Sequence, residues 1–139
     1  MIIIFNFEEV PKMNFSKQRE SILEYLKGTK EHPTAEKIYS DLKPELPNLS
    51  LATVYRNCNR LCEMGQVMRL ATNGKTDHFD ADTSDHQHFV CQECDGVYDM
   101  FFALPDEILE KNMEEGFQAD FYQLYVYGTC RACRKRKSA

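Results

Sequence analysis

The 139 residues contain no apolar run near the roughly 20 that a membrane helix needs. They contain no low-complexity linker, and no internal repeat beyond one paired cysteine motif. The opening MIIIF has no basic flank and is followed by Glu8 and Glu9, which makes a poor signal peptide. A cytoplasmic protein is the expectation. No histidine follows His88, so any imidazole chemistry belongs to the first two thirds of the chain. What is present, 42% hydrophobic and 28% charged residues, is the balance of a folded chain and excludes disorder. The length suits one ordinary domain or two small ones.

A net charge of −5 argues against nucleic acid, but the charge is unevenly placed. Between Lys12 and Leu70 ten Lys/Arg stand against seven Asp/Glu, while between Ala81 and Thr129 one Lys stands against eleven acids. The final RACRKRKSA adds five cations. The chain therefore has a mildly basic first half and a strongly acidic second half.

The first half reads as three helices. Ser16 is placed to cap the first, Ile22, Leu23 and Leu26 form its apolar stripe, and Gly28 stops it. Thr34 caps a second, with Ile38 and Leu42 inward and Pro44 beyond its end. Ser50 caps a third, on which Val54, Cys58 and Leu61 share a face and Gly65 stands just past the last turn. QVMRLAT and KTDHFDA then form a hairpin about Asn73-Gly74. Three helices and a hairpin is the order of a winged helix, whose third helix enters the DNA major groove. After a boundary near Ala81 to Ser84 come two strands, HFVCQ and GVYDMFF. A helix DEILEKNMEE follows, with Pro105 in its first turn and Gly116 closing it. FQADFYQLYVYG reads as a strand whose phase changes at Phe121-Tyr122, the mark of a bulge.

Four of six cysteines form two C-x-x-C pairs, Cys91/Cys94 and Cys130/Cys133. Two such pairs, each across a tight turn, bring four thiolates to one tetrahedral point, which suits zinc and leaves no open position for a substrate. The alternative is a thiol redox pair acting alone. Cys58 reads as core packing and Cys62 as its half-exposed neighbour. His86 and His88, two residues apart, point to one side of a strand. Asp80, Asp82, Asp85 and Asp99 are carboxylates that could join them, and a nitrogen–oxygen set of this kind suits iron, manganese or zinc. By itself His32 reads as a surface residue, and His78 as structural or exposed.

HPTAEKIYSDL, LATVYRNCNRL, HFDADTSDHQHFVCQEC and YGTCRAC together resemble the ferric uptake regulator (Fur) family, from about Asn14 to Cys133. The resemblance implies an α+β protein. Its residues 1–80 would be an N-terminal winged-helix DNA-binding domain, with 1–13 an extension, and 84–139 a small C-terminal α/β dimerisation and zinc-binding domain. It implies a structural zinc ion on Cys91, Cys94, Cys130 and Cys133. It implies a regulatory Fe(II) or Mn(II) on His32, Asp80, His86, His88 and Asp99. Ser50, Thr53, Tyr55, Arg56 and Asn57 of the third helix would meet DNA; the alternative for Tyr55, Arg56 and Asn57 is a solvated face. Aspartate at both Asp80 and Asp99 is similar to the peroxide-stress regulator (PerR) subgroup, whereas iron-uptake members often carry glutamate at the last position.

The function so implied is a metal-dependent homodimeric repressor of a double-stranded DNA operator, sensing peroxide through oxidation of His32 or His86. The alternative is a Fur-type repressor of metal-uptake genes that responds to iron or another metal. A metal joining the two halves would fix the spacing of two recognition helices against about one DNA turn, roughly 34 Å, and so shift the population toward the binding form. No membrane partner, small-molecule substrate or enzymatic activity is expected. A thiol-redox or hydrolase enzyme lacks a general base beside an open metal position. A zinc-ribbon module leaves His32, Asp80 and Asp99 without a role.

Overall fold

The computed structural model describes residues 17–72 and 76–138. Ser16, the Asn73-Gly74 turn and residues 1–13 lie outside the described residues. The fold is mixed helix and strand and divides into two compact units between Thr83 and Ser84. Among the described residues no helix is long and apolar enough to cross a membrane.

The first unit holds α1 (17–27 of the described residues), α2 (Ala35–Leu42), α3 (Leu51–Glu63), β1 (Met68–Leu70) and β2 (His78–Asp80). The caps are those the sequence marks. Thr34 Oγ1 accepts from the Lys37 amide and Ser50 Oγ from the Thr53 amide, each satisfying an amide that the first turn leaves unpaired. Gly65, at φ +74°, ends α3 in a left-handed turn, with Gln66 N donating to Leu61 O and Gly65 N to Cys62 O, both at 3.0 Å. Ile22, Ile38, Leu49, Val54, Leu61 and Phe79 are fully buried in one apolar cluster. Each such side chain contributes about 1.5–3 kcal/mol of transfer free energy. β1 and β2 pair antiparallel, with Arg69 opposite Phe79.

The second unit is a three-stranded sheet in the order β4-β3-β5, with β3 Gln87–Cys91, β4 Val97–Met100 and β5 Tyr125–Gly128, plus α4 (Asp106–Asn112) and α5 (Arg131–Ser138). β3 pairs antiparallel with β4 and parallel with β5. Three expectations change here. α4 stops at Asn112, before Gly116, and buries no residue, so nothing holds another turn in place; Pro105 is its N-cap. Residues 117–124 are not strand, and there is no bulge at Phe121-Tyr122 to re-phase. β3 offers its register to Tyr125–Gly128 alone, and Phe117 and Phe121 are exposed. Cys130 and Cys133 span the start of α5, where Arg134 N donates to Cys130 O, rather than a turn alone.

Candidate metal centres

The topology of the second unit explains the thiol cluster. β3 and β5 run parallel, so both end at the same edge of the sheet, with Cys91 level with Gly128. After Cys91 the chain turns, Asp95 N donating to Cys91 O and Cys91 N to Gly96 O, and this turn carries Cys94 back. Asp95 is in the left-handed region at φ 62° to make that turn. After Gly128 a single residue, Thr129, leads to Cys130 and into α5. The four Sγ atoms lie within 4.8 Å of one another, with Cys91, Cys130 and Cys133 buried and Cys94 exposed. Cys94 and Cys130 sulfurs are 3.9 Å apart. Two sulfurs bound to tetrahedral zinc at about 2.3 Å stand about 3.8 Å apart, so the donors fit that ion.

The protons on these thiols are unevenly held. The Cys130 amide, 3.3 Å from Cys91 Sγ, draws that thiol down to about 6. The Cys133 amide and the Tyr98 hydroxyl draw Cys130 down. Burial pushes Cys133 up to about 11. At Cys94 the Gly96 amide pulls down, but burial and the neighbouring sulfurs outweigh it and the thiol is raised. A cation entering the cluster displaces the protons still held.

The imidazoles lie at the other end of β3. His88 sits opposite Asp99 of β4, and His86 is two residues earlier. His86 Nε2 is 3.1 Å from Asp99 Oδ1, and His88 Nε2 is 3.5 Å from the same oxygen. His86 Nδ1 meets Ser84 O at 2.8 Å, and Phe101 stacks on the ring at 5.4 Å. In the first unit His32 repeats the arrangement: Nδ1 meets Lys30 O at 2.7 Å and Nε2 lies 3.0 Å from Asp80 Oδ2. The other Asp80 oxygen accepts from Asp82 N, which aims the carboxylate. His32 adopts φ 54° and is 2% exposed, so it is no surface residue. His78 is structural, its Nδ1 meeting His32 O at 2.7 Å.

These contacts decide what the rings can do. A carbonyl can only accept, so each Nδ1 carries the proton and Nε2 of a neutral ring presents a lone pair. A lone pair facing a carboxylate oxygen at 3.0–3.1 Å needs a positive centre between or beside them. A proton on the ring nitrogen supplies such a centre, and so does one divalent cation, which satisfies nitrogen and oxygen together. Asp82 and Asp85 are both exposed, unlike the buried His32, Asp80, His86 and His88.

On α3, Tyr55 and Arg56 face outward, with Ser50 exposed at the cap. Thr53 and Asn57 do not: they are 7% and 5% exposed. Asn57 stands three residues after Val54 and four before Leu61, which puts it on the buried side. Thr53 Oγ1 is held by Ser50 Oγ at 2.8 Å and by the Arg56 guanidinium at 3.1 Å. Asn59 and Arg60, one turn beyond Tyr55 and Arg56, are exposed as well. The sequence reading missed Tyr98 and Arg136, both of which reach the thiol cluster.

A four-thiol cluster, with buried imidazole–aspartate groups apart from it on an α+β scaffold, defines a metal-binding protein with two kinds of donor set. The chain belongs to the ferric uptake regulator family, whose family model matches residues 11–127. It is 38% identical over 122 residues to the peroxide operon regulator of Bacillus subtilis, covering 87% of this chain and 84% of that one. It is 34% identical over 121 residues to the peroxide-responsive repressor PerR of Staphylococcus aureus, covering 86% and 81%. Among solved structures it is similar to the Campylobacter jejuni peroxide stress regulator, with a TM-score of 0.73, 29% identity, and 93% and 98% of the two chains covered.

Proposed function

We propose that this protein is a metal-dependent, peroxide-responsive repressor that binds operator DNA as a homodimer and is not an enzyme. The observation that carries the reading is the set of buried Nε2 atoms turned onto aspartate oxygens. On this reading His32 and Asp80 of one unit and His86, His88 and Asp99 of the other bind one regulatory Fe(II) or Mn(II) ion. The four cysteines hold a structural zinc. Aspartate in both carboxylate positions and the peroxide-named relatives support the peroxide branch.

In this scheme residues 1–80 are a winged-helix domain and α3 enters the major groove. Ser50, Tyr55 and Arg56 would meet DNA, while Thr53 and Asn57 lie on the buried side of the helix. Residues 84–139 would dimerise. Exposed Phe101, Phe102, Ile108, Phe117 and Phe121 supply the apolar surface such an interface needs. A DNA operator places the protein in the cytoplasm.

Fe(II) held by these residues would supply the redox chemistry for hydrogen peroxide to oxidise a ligand imidazole, a ring C–H becoming C–OH with loss of water. The chain's own part is orientation. Lys30 O and Ser84 O hold Nδ1–H of His32 and His86, so both rings turn Nε2 toward the carboxylates. Oxidation would weaken that set and release DNA.

The test uses genomic fragments selected by the Mn(II)-loaded protein. Fluorescence anisotropy then follows Fe(II)- and Mn(II)-loaded samples after mild peroxide. The expected result is loss of binding with iron only, with a one-oxygen adduct on His32 or His86 by mass spectrometry. Loss without an adduct on either ring overturns histidine oxidation. Retained binding with iron favours a regulator of metal uptake. No DNA binding with either metal overturns the repressor reading.

A further inference from the structure

Four thiolates around one divalent ion carry an excess of two negative charges. Two of them, Cys91 and Cys94, sit in a stretch, Ala81 to Thr129, that has one Lys against eleven acids. The cations nearest in sequence are those of α5, and two of them reach back to the cluster. The Arg136 guanidinium donates to Cys133 Sγ at 2.7 Å. Lys137 Nζ pairs at 2.5 Å with Glu93 Oε1, which lies between Cys91 and Cys94 in the other turn. The Tyr98 hydroxyl donates to the Cys130 sulfur. Gly96 is what admits that hydroxyl: a Cβ there would stand 3.1 Å from it and 3.3 Å from Cys94 Sγ.

We propose that α5 is a cationic clasp on the zinc centre, in which Arg136 is a positioning residue that holds the Cys133 sulfur, offsets thiolate charge and slows loss of the ion. The inference rests on zinc occupying the four thiols; it does not need the peroxide reading. The guanidinium is charged at any working pH, and its bond to a thiolate is charge-assisted. Lys137 ties the end of the same helix to the opposite cysteine turn, so the helix spans both halves of the site.

The clasp also bears on oxidation. A ligand thiolate attacks hydrogen peroxide by forming an S–O bond as the O–O bond breaks. Hydroxide leaves, and the sulfur, oxidised by two electrons, becomes a sulfenic acid and a poor zinc ligand. The lone pair that attacks is the one that an N–H or O–H donor engages. Cys133 and Cys130 have side-chain donors in Arg136 and Tyr98 and are buried; Cys94 is exposed and relies on the Gly96 amide. Cys94 is therefore the least covered of the four sulfurs.

The experiment uses the full-length zinc-loaded protein and a chromophoric chelator, with and without hydrogen peroxide. Arg136→Gln is expected to release zinc about tenfold faster, the scale on which partners of metal ligands act. Arg136→Lys, which keeps the charge without the fork, falls between it and wild type. Arg134→Gln, exposed on the same helix, matches wild type and controls for net charge. In cobalt-substituted protein the sulfur-to-metal charge-transfer band shifts to lower energy in Arg136→Gln, which loss of packing alone does not produce. Equal release rates for Arg136→Gln and Arg134→Gln, with an unmoved band and full zinc content, overturn this inference alone. If Arg136→Gln does not fold, Arg136→Lys measured the same way decides by the same criterion. Zinc-free wild-type protein overturns the zinc reading and this inference together.

Discussion

The two units are held together by different means. In the first, α1, α2 and α3 close over an apolar cluster that runs from Ile22 to Phe79. In the second, the buried cluster is Cys91, Cys130 and Cys133 with Phe89 against them, beside Val90 and Val97 paired across β3 and β4. One unit spends its apolar residues inside; the other leaves Phe101, Phe117 and Phe121 outside and gathers sulfur instead. A unit of this size with so few buried side chains is marginal by hydrophobic burial alone. The contrast teaches that cysteine replaces leucine as the core material of the second unit; on the proposed zinc reading, a bound metal would supply the energy that packing supplies in the first.

The sharpest way to break that contrast is Cys130→Ser. Losing one of four thiolates should empty the site and remove structural-metal stabilisation on the order of 10 kcal/mol. Zinc content should fall, and hydrogen exchange should show β3, β4 and β5 unprotected while α1 to α3 stay protected. Loss of protection in both units would end the idea of separate cores. Ile38→Ala is the converse. Ile38 is 0% exposed in the first cluster, so truncation should cost about 2–5 kcal/mol in denaturant unfolding of the first unit. Zinc content should not change.

The legibility of the two units in the sequence differs for the same reason. Thr34, Ser50 and Gly65 act locally, through amides within a few residues, and local signals survive in sequence; these caps stand where expected. The four cysteines were equally legible because each C-x-x-C pair is itself a local spacing, which the parallel β3 and β5 then bring to one edge. What was not legible depends on partners far along the chain. FQADFYQLYVYG has strand composition throughout, yet only Tyr125–Gly128 finds an edge of β3. α5 was hidden because RACRKRKS has no apolar stripe; Cys133 is the one residue it buries. His32 looked exposed from its loop and is buried because φ 54° and the Lys30 carbonyl turn the ring inward. The ligand roles came from resemblance, since Asp80, Asp82, Asp85 and Asp99 are indistinguishable by composition.

Asp99→Asn sharpens the comparison inside the second unit, which carries imidazoles at one end of β3 and thiols at the other. Both rings face one Asp99 oxygen, so removing its charge should lower Mn(II) affinity by about tenfold or more in a titration. Zinc content should stay at wild type. A joint loss of both metals would mean that the two ends of β3 are not independent.

The smallest effect tests whether the first unit's helices are independent of what they carry. Ser50→Ala and Thr34→Ala each remove a side-chain oxygen that accepts a first-turn amide, at 3.1 Å and 3.2 Å. Each should cost about 1 kcal/mol of stability, visible as a shift in the denaturant midpoint with unchanged slope and unchanged zinc content. DNA affinity should separate them. Ser50 sits at the start of α3 and steadies Thr53 Oγ1, which in turn receives the Arg56 guanidinium, so its loss loosens that contact as well as fraying the helix. Thr34 caps α2 and touches none of these groups. Equal losses of stability with unequal losses of DNA binding would show α3 acting as the reading helix; equal losses of both would reduce the serine to a cap like any other.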